Sequence, residues 1–156
     1  MNTAKHSINS NLPPLQKKQS SFKKRVTYFP TIVFAALLGT YLDLYFVEKK
    51  LYEFPVRPFP ELFSINISFT LITLPLLTGV FLFIAQRLNR VGRCCLLVAA
   101  SALTPVVEMY SEKWGFFRHT GSWNHAYSIL GYLLFLIIIW HVFKWTNKGI
   151  WSEKYN

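Results

Sequence analysis

Four apolar runs, each broken off by polar, basic or proline-bearing segments, organise this chain, and they lie at about 28–47, 62–86, 94–110 and 126–145. A helix needs roughly 20 apolar residues to cross the hydrocarbon core of a bilayer, and these runs approach or exceed that length. The pattern predicts an all-α protein, an integral membrane four-helix bundle over residues 28–145. Pro30 falls in the first turn of its run, where a missing N–H costs little. Pro75 and Pro105 sit inside theirs, and each predicts a local bend. The third run is read as the shortest and least apolar of the four, and its cluster Ala99-Ala100-Ser101-Ala102 suits close helix approach. Between the first two runs, the prolines and mixed charges of "EKKLYEFPVRPFPE" exclude a helix.

Composition agrees with that pattern: 52% of residues are hydrophobic, 17% aromatic and only 15% charged, which is too apolar for an ordinary soluble domain. The formal charge of +10 would suit nucleic acid in a soluble protein. Here the bases flank the apolar runs, which points to anionic lipid headgroups and excludes a nucleic-acid partner. Residues 1–27 carry Lys5, Lys17, Lys18, Lys23, Lys24 and Arg25 without an acid, as expected of a disordered tail ahead of an uncleaved signal anchor. Residues 146–156 form a second, short tail. Twelve Lys and Arg lie on the side of the two tails and five on the other. The positive-inside rule therefore predicts a multipass cell-membrane protein with both ends cytoplasmic. The five Trp are expected near the interfaces, and the adjacent Cys94 and Cys95 are read as buried apolar residues.

Ionisable groups inside the runs are few: Asp43, Glu108 and His141. Because a mid-bilayer carboxylate costs about 2.5 to 3.5 kcal/mol, such groups face protein or water. Helical spacing places Ala36, Gly39, Thr40 and Asp43 on one face and Ser101, Thr104 and Glu108 on another. Asn66, Thr70 and Thr73 make a third stripe, and Asn124, Ser128 and Gly131 a fourth. Together they predict a polar seam, densest towards the outer side. There Asp43, Glu108, Arg118, His119, Asn124 and His125 are candidates to converge as an ion or substrate site. The alternative is structural, with Arg118 or His119 neutralising the carboxylates and Asn124 capping the fourth helix. No metal-binding spacing, phosphate loop or nucleophile elbow is present, so no cofactor is expected and the metal question stays open.

The stretches "GTYLDLYFV", "LYEFPVRPFPELFSINI" and "VVEMYSEKWGFFRHTGSWN", followed by an apolar run with "WH" near its end, resemble a family of small uncharacterised multipass membrane proteins of endospore-forming Gram-positive bacteria. The resemblance spans residues 28–145. Members tend to show Gly-Trp-Asn directly, whereas here Ser122 separates Gly121 from Trp123. It implies a bacterial cell membrane and a fold, supplies no reaction, and marks Asp43, Glu108, Trp123 and Asn124 as the positions to test. The function expected is a structural or interaction component with a membrane-protein partner or a second copy of itself. Its rivals are a small transporter or channel subunit, and a membrane enzyme using Glu108 and His125 as acid and base.

Overall fold

The computed structural model describes residues 26–121 and 124–149, with the side chain of His125 outside that set. Most of it is helical. Helix α1 runs Phe29–Glu48, α2 Leu74–Ala85, α3 Arg90–Lys113 and α4 His125–Thr146. Two short strands, β1 (Tyr52–Glu53) and β2 (Arg118–His119), join the α1–α2 and α3–α4 connections in an antiparallel ladder. Tyr52 lies opposite His119 and Glu53 opposite Arg118.

Three of these helices are long and apolar enough to cross a membrane: Phe29–Glu48, Arg90–Lys113 and Ala126–Thr146. The length ranking expected from the sequence is reversed. The third helix is the longest, because Asn89 accepts the N–H of Gly92 at 2.8 Å and so caps it four residues ahead of Cys94. The second is the shortest. Its apolar helical stretch is Phe69–Ala85, about 25 Å at 1.5 Å per residue, against a hydrocarbon core of about 30 Å. Residues 62–66, expected at its start, are turn and coil.

Both internal prolines leave a visible trace. Before Pro75 the chain takes a π-helical turn, Phe69–Thr73, in which Leu74 N–H returns to Phe69 O. In α3, Pro105 has no N–H for the carbonyl of Ser101. The Thr104 hydroxyl takes its place, donating to Ser101 O at 2.7 Å.

Helix α4 is the axis of the bundle: α1 and α3 both pack along it, and α2 packs mainly on α1. One apolar core joins Ala35, Leu82, Phe135, Ile139 and Phe143. Gly39 lets α1 approach the second helix closely, since a Cβ there would overlap the Leu74 side chain and force it to shift. Outward from the core the helices show apolar residues on every side, among them Leu37, Leu76, Leu103 and Leu134. A helix apolar all round belongs in a core or a bilayer, and among the described residues no protein covers these faces. The fold therefore points to a membrane location.

One end of the bundle gathers the start of α1, the α2–α3 turn and the end of α4. Asn147 clasps the chain there, accepting Thr27 N–H at 2.9 Å and donating to Thr27 O at 3.0 Å. Gln86 donates to the Tyr28 hydroxyl, and Arg93 lies over the Trp140 ring 4.0 Å from its centroid. Trp140 is thus buried against protein, whereas Trp114 and Trp145 are exposed. Cys94 and Cys95 are likewise exposed on α3, not buried. Trp151 and the N-terminal tail lie outside the described residues.

At the opposite end α1 and α3 finish alike. Leu51 N–H returns to Phe46 O and Phe116 N–H to Ser111 O, through Lys50 and Gly115 in the left-handed region at φ 55° and 77°. These matched endings aim β1 and β2 at each other across the mouth of the bundle. Thr120 locks the ladder by donating its N–H to Leu51 O and its hydroxyl to Lys50 O. A small aromatic core of Tyr52, Phe54 and Ile65, with Phe46 and Phe117 against it, fills the space beneath. Arg57 then ties down the loop beyond, donating to the carbonyls of Phe54 and Phe63 at 2.6 Å.

Candidate functional site

Because α1 and α3 both lean on α4 without substantial contact with each other, a gap remains between them under the strand ladder. It is a cavity of about 450 Å³. Helix α1 contributes Gly39 and Asp43, α3 contributes Glu108 and Ser111, and α4 contributes Ser128, Gly131 and Tyr132. Tyr52, Phe54 and Phe117 come from the strand ladder and its flanks, and Asn66 and Phe69 from the start of the second helix. The early end of that helix explains the room on its side. The wall is mainly apolar, with aromatic rings prominent, and its charged members are both carboxylates.

Asp43 and Glu108 each lie five residues before the end of their helix, about 7 Å inside it at the helical rise. Glu108 is deeper than the sequence suggested, since α3 continues to Lys113 rather than ending near Tyr110. Asp43 Oδ1 accepts the Tyr52 hydroxyl at 2.6 Å, while its Oδ2 is buried with no hydrogen-bond partner among the described residues. Burial, and then the neighbouring Asp43, push the Tyr52 phenol far above its usual range. The neutral phenol is thus favoured and donates to Asp43.

Glu108 accepts the Ser128 hydroxyl at 2.7 Å, which ties α3 to α4. His119 Nε2 lies 3.5 Å from the same Glu108 oxygen, and His119 Nδ1 lies 2.6 Å from Glu112 Oε1. Glu112 also accepts the His119 backbone N–H at 2.8 Å. The imidazole, largely buried, thus pins β2 to the last turns of α3. Among the described residues no group of three or more His, Cys, Asp and Glu is arranged to hold a metal ion.

Of the six residues expected to converge, the five whose side chains are described separate into two sets. Asp43 and Glu108 share the cavity wall, and His119 stands behind Glu108. Arg118 points away and pairs with Glu53 at 3.3 Å on the surface. Asn124 is exposed and accepts Ala126 N–H at 3.0 Å, the capping role weighed for it. Trp123 and the side chain of His125 lie outside the described residues.

No family model, curated protein or solved structure matches the chain.

Sequence reasoning passed over Tyr52, Glu112 and Tyr132. Glu112 follows Glu108 by four residues, so a helix carried one turn further shows both on one face. Tyr52 sits in "KKLYEFPV", where Leu51, Tyr52, Glu53 and Phe54 mix apolar, aromatic and charged residues in a segment too short to announce a strand. Its pairing with Asp43 depends on the left-handed turn at Lys50, which sequence gives no reason to expect of a lysine.

Proposed function

We propose that this is a multipass integral protein of the bacterial cell membrane, both chain ends cytoplasmic, that binds a small amphiphile drawn from the outer half of the bilayer. The observation carrying this reading is the cavity between α1, α3 and α4. Its size is within the roughly 300–1,000 Å³ range of small-molecule sites, and it pairs an apolar lining with a few converging polar groups. Its wall also includes Val107, Leu134 and Ile138, which are 55%, 61% and 44% exposed and would face lipid. A chain lying in the bilayer could reach the interior past them without crossing water. The polar groups lie towards the strand ladder, so a headgroup would sit near the outer interface with its tail pointing inward.

The orientation rests on the Lys and Arg of the two tails, counted in the sequence, since the described residues divide theirs five and five between the two ends, and the bacterial membrane rests on the sequence resemblance described above. Exposed Arg87, Arg90, Lys144 and Lys148 at the Asn147 end suit anionic headgroups of the inner leaflet.

Gly131 supplies the test. Gly131 lines the cavity and a Cβ there meets nothing within 4 Å, so Gly131→Leu has room to project a bulky apolar side chain at the cavity wall. Mass spectrometry of gently purified protein should find a small amphiphile retained by the wild type and depleted in Gly131→Leu. Equal retention by both would contradict the reading.

A further inference from the structure

Building on the amphiphile-binding reading, we infer that the ligand is a lipophilic cation, an alkyl or prenyl-like chain ending in an ammonium group. Three features of the cavity select that charge. Its carboxylates are Asp43 and Glu108, and no Lys or Arg lines it among the described residues. Two guanidinium groups beside its lining are committed elsewhere, Arg118 to Glu53 at the surface and Arg57 to the carbonyls of Phe54 and Phe63. An anionic headgroup would therefore meet two carboxylates in an apolar setting, where like charges repel strongly.

The hydrogen bonding selects the same class. Asp43 Oδ1 holds Tyr52, but the buried Oδ2 lacks a donor. A carboxylate oxygen left unpaired at this depth is costly; any ammonium group brings a counter-charge, and a protonated amine adds N–H donors. Glu108 is anchored by Ser128 on one oxygen, with His119 beyond it, so it is held in place along the same wall.

The aromatic lining completes the argument. Tyr52 stacks obliquely on Phe117 at 5.0 Å between centroids, and Phe54 meets both rings at 5.5 Å. This cluster borders the cavity on the side where Asp43 receives Tyr52. Aromatic faces beside a carboxylate are the chemistry that recognises organic ammonium ions, through the ring quadrupole. Small, strongly hydrated metal cations gain little from such a wall, since they favour several oxygen ligands. The apolar remainder, towards Leu134, Phe135 and Ile138, accepts the chain.

The test uses the full-length protein in phosphatidylcholine nanodiscs and four probes of equal chain length: dodecyltrimethylammonium, dodecylamine, dodecanol and dodecanoate. Both ammonium probes should bind at least tenfold more tightly than the alcohol and the carboxylate. Affinity should rise about fourfold per added methylene. The Asp43→Asn, Glu108→Gln double variant should lose the ammonium preference while keeping dodecanol binding. Should that variant fail to fold, the ranking on the wild type decides. Equal binding of all four probes, abolished by Gly131→Leu, would overturn the cationic assignment and leave the cavity reading standing. Binding indifferent to Gly131→Leu would overturn both. An ammonium preference that survives in a folded double variant would also overturn the assignment, and so would displacement of dodecyltrimethylammonium by millimolar sodium or magnesium alone.

Discussion

The hydroxyl of Tyr52, on the strand that follows α1, donates to Asp43 Oδ1 at 2.6 Å and so ties the outer ladder to the helix that precedes it. The bond joins a loop residue to a helix residue nine positions earlier, across the turn that Lys50 makes possible. It also sets one edge of the cavity.

Tyr52→Phe removes that donor and leaves both oxygens of Asp43 without it. A bond to a charged group is worth about 1.5–3 kcal/mol, so thermal unfolding in a fixed detergent should shift down by several degrees. The pH dependence carries a sign. The Tyr52 phenol titrates higher in the folded state than its ordinary value of about 10, because burial and Asp43 oppose its ionisation. Above that pH the unfolded chain releases a proton that the folded chain keeps. The stabilisation is thus complete below about pH 10 and falls as pH rises further. Unfolding of the wild type should steepen its decline there, and Tyr52→Phe should decline less.

Thr104→Val tests how α3 tolerates its proline. With the hydroxyl gone, Ser101 O faces Pro105 with no donor, at a cost of about 1–3 kcal/mol. Adding Pro105→Ala restores a backbone N–H at that position. The double variant should therefore be more stable than Thr104→Val alone, which a double-mutant cycle in thermal unfolding would reveal as strong coupling.

Lys50 holds a left-handed conformation, φ 55°, at the place where Gly115 does the same for α3. A side chain in that region costs about 1–2 kcal/mol, and glycine avoids the cost while loosening the unfolded chain. Lys50→Gly should raise stability by about 0.5–1 kcal/mol. A loss of stability would show that the lysine side chain contributes more than its backbone strain.

The apolar runs announced four helices, yet their ends were set by features of another kind. Asn89 and Gly92 start α3 early through a side-chain cap, which a hydropathy pattern does not register. Asn66 accepts Phe69 N–H at 3.2 Å where the second helix begins, so the apolar Leu62, Phe63 and Ile65 are left to the loop. The small and polar stripes were legible in part, because helical spacing is regular: Gly39, Asp43, Asn66, Glu108, Ser128 and Gly131 line one cavity, whereas Ala36, Thr40, Thr70, Thr73, Ser101, Thr104 and Asn124 do not. The ladder was not legible. Its two-residue strands are held by matched helix endings and by Thr120, contacts between positions about seventy residues apart. That geometry also separates Arg118 from His119, since alternation along a strand sends neighbouring side chains to opposite faces.

Orientation is open to a direct check. With Cys94 and Cys95 replaced by serine, single cysteines at Arg118 and Lys148 sit at exposed positions on opposite ends of the bundle. In intact cells a membrane-impermeant maleimide should label Arg118→Cys and reach Lys148→Cys only after lysis. Labelling of both from one side would contradict the four-crossing arrangement, and the reverse pattern would invert it.

Photolabelling tests the ligand cavity most directly. A dodecylamine carrying a diazirine at the chain end, activated with the protein in nanodiscs and mapped by peptide mass spectrometry, should mark the cavity residues Leu134, Phe135 and Ile138 on α4. Excess unlabelled dodecylamine should suppress that labelling, and Gly131→Leu should abolish it. Labels spread evenly over the outward-facing Leu37, Leu76 and Leu103, unaffected by competitor or by Gly131→Leu, would contradict the account.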